Sequence, residues 1–212
     1  MRKIIKQFDA LRDSLKKDNL VVVNNFVFVN SPANLNELKE LEASGKMQQP
    51  VIDFYRVSDG FEIDWTPADP SLADHEIVGR VKVNPIQKVL ISWKGIVFFN
   101  DEPENSPKRK FFPLDFFAGE AAVGFCTYEG FRSMMFFYQF EGDMIPLYVD
   151  FEGYLKLMLL TRGCYYWQYL IREITEGEEN TVSARIKKYL PQVFPDFSFE
   201  KFKFFFNKLR VD

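Results

Sequence analysis

The residues through which this chain could do chemistry are one histidine, two cysteines and 30 carboxylates. His75 stands in the triplet Asp74-His75-Glu76, shortly after Asp69. One imidazole with several carboxylates is a donor set for a metal or an acid–base pair. The common zinc sites built on two or three histidines are excluded, because there is no second histidine. The plainer reading of His75, a solvated loop residue, is the one the sequence favours. A Cys–His nucleophile would need His75 beside Cys126 or Cys164. Neither cysteine sits in a sequence setting that would lower its pKa, such as a helix N-terminus with nearby cations, although Cys164, between Gly163 and Tyr165-Tyr166, could open a helix.

Other reactive patterns are missing from the chain. Gly60, Gly79, Gly95, Gly119, Gly124 and Gly130 stand singly, and none opens a helix as part of a phosphate-cradling loop. No serine lies in a nucleophile-elbow pattern. Carboxylate pairs abound, but none has a flanking signature that would mark a glycosidase. The expectation is therefore a protein without catalytic residues, cofactor or metal.

Charge is distributed unevenly. From Asp53 to Glu76 the acids are Asp53, Asp59, Glu62, Asp64, Asp69, Asp74 and Glu76, with Arg56 as the only cation. Towards the C-terminus the sign reverses, through Arg185, Lys187, Lys188, Lys201, Lys203, Lys208 and Arg210. A charge run is most simply a solvated face. An acidic surface can also steer a basic partner and set its specificity. On that basis Asp59, Glu62, Asp64, Asp69, Asp74 and Glu76 are the candidate partner-binding residues. The basic run is interleaved with Phe202, Phe204, Phe205 and Phe206, a mixture that can bind single-stranded nucleic acid. The helical spacing of those rings favours a core-facing stripe instead. The net charge of -3 likewise argues against a nucleic-acid partner.

These residues must be positioned by a core, and the chain can build a large one. It is 47% hydrophobic with 24 Phe among 212 residues, enough for one domain that buries roughly 70% of its unfolded surface. Ile4, Phe8, Leu11 and Leu15 predict a first helix. Leu20–Val23 and Phe26–Val29 read as strand, either two short strands turning at Asn24-Asn25 or one longer strand. Ser31-Pro32 is expected to open a second helix with Leu35, Leu38 and Leu41 on its stripe and Gly45 as its stop. Pro50 starts a short third helix through Val51, Phe54 and Tyr55, ended by Asp59-Gly60.

Strands are predicted at Phe61–Trp65, Val78–Val83, Val89–Trp93, Ile96–Phe99, Ala121–Tyr128, Met134–Phe140 and Ile145–Val149. Lys94-Gly95 reads as a hairpin turn, and Asp101–Lys110, with Pro103 and Pro107, as an exposed loop. The run Met134–Tyr138 is apolar on both faces, as in a covered central strand. Helices return after Asp150, an N-cap, with Arg162-Gly163 as a stop. An aromatic helix follows through Tyr165, Tyr166, Trp167 and Tyr169, then a polar linker over Thr175–Thr181. A helix carries Val182, Ile186 and Tyr189, and Ser198 caps the last one. Helices, then strands, then helices make the class α+β, with a mainly antiparallel sheet packed against N- and C-terminal helices.

With these elements in place, one run resembles a known family. Pro50 to Trp65, from a short helix ending in an aromatic pair through Asp59-Gly60 to a strand ending in Trp, resembles the N-terminal signature of the SUKH superfamily. Gly79-Arg80-Val81, Phe112-Pro113-Leu114-Asp115-Phe116-Phe117, and Phe151 to Leu159 continuing to Gly163-Cys164-Tyr165-Tyr166-Trp167 match in the same order. The resemblance spans roughly residues 35–169. The chain is expected to be a single SUKH-like domain over residues 1–212, with residues 176–212, beyond the matched span, as a helical C-terminal extension of the same domain. The resemblance implies a protein-binding module, since many bacterial members are toxin-immunity proteins; an immunity protein that neutralises a cognate toxin is the leading expectation, with a regulatory scaffold binding a host protein or a small carboxylate-based enzyme as alternatives. It assigns no catalytic residue. Two cysteines give no disulfide framework, so buried thiols in a reducing compartment are expected. Charges interrupt the apolar N-terminal residues, and no run approaches a membrane span, so a cytoplasmic protein without a membrane partner is expected.

Overall fold

The computed structural model describes residues 1–28, 31–44, 47–127, 134–140 and 142–211. Helix α1 (Arg2–Lys17) forms on the predicted stripe and buries Ile4, Ile5, Phe8 and Leu15. β1 (Val21–Phe28) is one continuous strand, antiparallel to β2 (Phe61–Pro67). The Asn pair makes no turn. The register slips between Val23 and Asn25, so Asn24 is the extra residue of a bulge, and its amide donates to Thr66 Oγ1 at 3.3 Å. β2 alternates strictly, with Phe61, Ile63 and Trp65 buried and Glu62, Asp64 and Thr66 on the other face. β3 (Gly79–Val83) completes a three-stranded sheet in the order β1-β2-β3.

Two helix starts differ from expectation. α2 (Leu35–Ser44) begins after Asn34, whose side chain accepts from the Asn36 N–H at 2.9 Å, not at Ser31-Pro32. The earlier residues are held extended against α3 (Gln49–Tyr55): the Ala33 N–H donates to Tyr55 O at 2.8 Å, and Ser31 O accepts from the Asp59 N–H at 2.9 Å. Gly45 lies outside the described residues. α3 ends at Tyr55 with Arg56 as its cap, so Gly60, although at φ +100, is not its stop. Gly60 instead turns the chain into β2, where Val83 O would lie 2.5 Å from any added Cβ.

The two strands predicted over residues 89–99 do not form. Residues Pro70–Asp74 and Ile86–Val89 form short helices α4 and α5, and after α5 the chain folds into turns. Trp93 O accepts from the N–H groups of Ile96 at 3.2 Å and Val97 at 2.8 Å, and Gly95, at φ +86, donates to Phe98 O at 2.7 Å. The strand in this part of the chain is β4 (Phe111–Ala118), after a 3-10 turn at Pro107–Lys110. β5 (Ala121–Cys126), β6 (Met135–Gln139) and β7 (Met144–Pro146) follow, in the order β4-β5-β6-β7 and all antiparallel. The first sheet meets the second where the Asn84 N–H donates to Leu114 O at 2.7 Å.

The second sheet is covered on both faces. One face carries Val123, Phe125, Met135 and Phe137 into the main core, which runs from Ile4 to Phe206. The other carries Phe111, Ala122, Cys126, Phe136 and Tyr138 against Trp93 and Val97 of the turn segment. This is why the residues of β6 are apolar at consecutive positions. α6 (Phe151–Thr161) starts at Asp150, which accepts from the Gly153 N–H at 2.7 Å, and ends with Arg162 at φ +52 and Gly163 at φ +63. α7 (Gln168–Glu176) starts later than predicted, because Tyr165 and Tyr166 lie in a turn with Tyr166 at φ +62. α8 (Thr181–Val193) and α9 (Phe199–Leu209) begin on capping Asn180 and Ser198. The class is α+β, with helices from both ends of the chain on antiparallel sheets. Among the described residues no helix is long and apolar enough to cross a membrane.

Candidate protein-binding surfaces

The six candidate acids occupy three distinct settings. Asp59 is turned inward and accepts from the Ile86 N–H at 2.8 Å, holding the start of α5. Burial raises its carboxyl above the usual range, opposed by that hydrogen bond. Glu62 and Asp64 lie on the outer face of β2 but are tied to β3. Arg80 holds Asp64 in a two-pronged pair, Nε to Oδ1 at 2.6 Å and Nη2 to Oδ2 at 3.1 Å, and donates to Phe117 O at 3.2 Å. Glu62 lies 3.2 Å from Lys82 Nζ and 3.4 Å from Arg80 Nε. The hydrogen bonds that Arg80 donates to Asp64 raise the guanidinium pKa further and hold it charged. Two acids against two cations leave this face without a net negative charge.

Asp69, Asp74 and Glu76 are exposed around α4. Asp69 caps that helix by accepting from the Ser71 N–H at 2.9 Å and Oγ at 2.8 Å, which lowers its pKa. Glu76, at φ +54, pairs with Arg185 of α8. The exposed His75 ring stacks on Tyr189, centroids 4.2 Å apart and planes at 14°. The acidic run is therefore not one surface: three of its residues reach solvent together, and α8 contributes a cation and a ring at their margin.

Other groups of chemical interest lie inside. Asp115 of β4 is fully buried, and its Oδ2 accepts from the Tyr154 hydroxyl at 2.5 Å. Burial pushes its carboxyl up to about 7, against the Tyr154 hydrogen bond and the charges of Lys82 and Arg80. Asp115 Oδ1 and both amide atoms of the buried Gln168 reach no hydrogen-bond partner among the described residues. The sequence signal for such a site is a lone acid in an aromatic run, Phe111 to Phe117. Cys126 and Cys164 are buried, and burial pushes the Cys164 thiol up to about 12, the opposite of an activated nucleophile. Among the described residues no three of His, Cys, Asp and Glu gather to hold a metal ion.

Large apolar side chains also reach solvent in several places. Leu90, Ile91, Ile96 and Phe99 project from the turn segment that Trp93 and Val97 anchor to the second sheet. Leu20, Val22, Phe26 and Val27 lie at or beside β1, an edge strand, with Lys16 Nζ 3.4 Å above the Phe26 ring. The C-terminal rings divide: Phe202 and Phe206 are in the core, whereas Phe204 and Phe205 are exposed. No protein-family model, curated protein or solved structure matches the chain.

Proposed function

We propose that the protein is a binding module for another protein, acting in the cytoplasm by occupancy and without a reaction of its own. More specifically, we read it as an immunity protein that covers the active site or substrate path of a cognate bacterial toxin, as the SUKH-like signature implies. The observation that supports this reading is the exposed acidic segment around α4. Asp69, Asp74 and Glu76 stand on a short helix and its flanking turns, where a partner can reach them without disturbing the core. A basic surface, such as that of a nuclease, would be drawn to this segment. Glu62 and Asp64 are better understood as sheet stabilisers, and Asp59 as a cap, than as contacts for that partner.

The test is a pull-down for the partner, followed by association rates at low and high salt. Asp69→Lys with Asp74→Lys should slow association about tenfold and flatten its salt dependence. Asp74→Lys should change folding by no more than about 1 kcal/mol, since exposed charges contribute little, and Asp69→Lys by up to about 2 kcal/mol, since it also removes the cap of α4. An unchanged rate and slope would move the contact elsewhere. In that event a second reading, a regulatory scaffold that holds a host protein, gains from the exposed Leu90, Ile91, Ile96 and Phe99, because long-lived interfaces are richer in apolar area.

A further inference from the structure

We propose that the groove between α1, α6 and α9 docks an acidic amphipathic helix of a partner protein, at a site separate from the acidic segment around α4. The groove holds about 500 Å³ and runs along α6. Glu152, Lys156, Leu159 and Leu160 lie on one face of α6, at helical spacing, and form the floor. α1 and α9 form the walls. The apolar part of the lining is Met1, Ile4, Leu159, Leu160 and Phe205, the last left 41% exposed while Phe202 and Phe206 of the same helix are fully buried.

The sign of the groove identifies its occupant. Four cations, Lys3, Lys156, Arg162 and Lys201, line it against the single carboxylate of Glu152, in a chain whose net charge is -3. Lys156 is paired with Glu152 at 2.7 Å, and Arg162 with Asp196 at 2.6 Å. Among the described residues, no carboxylate lies within ion-pair distance of Lys3 on one wall or Lys201 on the other. The first turn of α1 carries Arg2 and Lys3 and no acid, so cations sit at the positive end of the helix dipole. That placement weakens α1 on its own, and a bound carboxylate would relieve it.

A helix laid along α6 would press apolar residues at i, i+3 or i+4 and i+7 onto Leu159, Leu160 and Phe205. Acids flanking that stripe would then meet Lys3 and Lys201, and also Lys156 by taking the place of its partly exposed partner Glu152. Single-stranded nucleic acid fits less well, because the floor is aliphatic and offers few rings on which bases could stack.

The experiment pans a displayed library of random peptides, each about 16 residues or four helical turns long, against the full-length protein. Winning peptides are then titrated by fluorescence anisotropy at low and high salt. The proposal expects winners rich in Asp and Glu with apolar residues at helical spacing. Their affinity should weaken with salt and fall about tenfold or more with Lys156→Glu plus Lys201→Glu. Lys156→Gln plus Lys201→Gln should give a smaller loss in the same direction, so a fold defect in the first variant leaves the test intact. Asp69→Lys with Asp74→Lys should leave peptide affinity unchanged, which separates this site from the one under Proposed function. No enrichment, neutral or basic winners, affinity indifferent to both lysine pairs, or displacement by a single-stranded oligonucleotide would each overturn it.

Discussion

The carboxylate of Asp115 is 1% exposed, bonded through one oxygen to Tyr154 and unsatisfied at the other. The charges nearest to it are Lys82, Arg80 and Glu62. Its pKa is raised from an ordinary 3.8 to about 7, so the folded protein favours the neutral acid. The stabilisation is full below the ordinary carboxylate range and is lost as pH rises to about 7. The swing is on the order of 4 kcal/mol. Asp115→Asn should therefore flatten the fall in stability between about pH 4 and pH 7, measured by urea unfolding at a series of pH values. Parallel profiles for the two proteins would mean that the carboxyl is not held neutral. The sequence made the strand ending in Trp65 legible, and that ring is 1% exposed, packed against Gly79 with its Nε1 donating to Arg162 O at 2.7 Å. It did not single out Asp115: the aromatic run around it hints at burial, but its hydrogen-bond partner, Tyr154, is distant in the chain.

Among the elements, the junction between α3 and β2 is sharply constrained. Gly60 sits at φ +100, and an added Cβ would come within 2.5 Å of Val83 O and 3.0 Å of both Asn84 C and Pro85 N. Gly60→Val should lower stability by more than about 2 kcal/mol, combining left-handed strain in a β-branched residue with displacement of backbone that cannot swing aside. A urea midpoint equal to wild type would refute this account of the turn. The positive φ could be read from Asp-Gly, but its purpose could not, since the obstructing atoms lie beyond β2. The same limit explains residues 89–99. Alternating Val89, Ile91 and Trp93 mimic a half-buried strand, yet Trp93 and Val97 are drawn onto a sheet formed by residues that come later in the chain. Local signals with their own chemistry fared better: Asp150 and Ser198 start helices, and Arg162-Gly163 ends one, where they were expected to.

Across the whole molecule, the C-terminal helices are joined to the core rather than appended to it. Phe194 meets Trp65 edge-on at 4.9 Å, Phe202 meets Trp167 at 6.0 Å, and Val149 bridges to Arg210. The SUKH-like resemblance stopped short of these helices, yet they complete the wall behind its signature tryptophan. Two apolar clusters result, one on each face of the second sheet, and each contains one cysteine: Cys164 in the main core and Cys126 beneath the turn segment. The thiols thus form a pair of internal clocks. An alkylating reagent can reach each only when its own cover lifts, so labelling rates convert into opening free energies for the two faces separately. The cover over Cys126 is largely turns, whereas Cys164 lies behind helices and the first sheet. Timed alkylation read by mass spectrometry should find Cys126 modified well before Cys164, with Cys164 following global unfolding. Equal rates would mean that the turn segment parts from its sheet only when the entire chain comes undone.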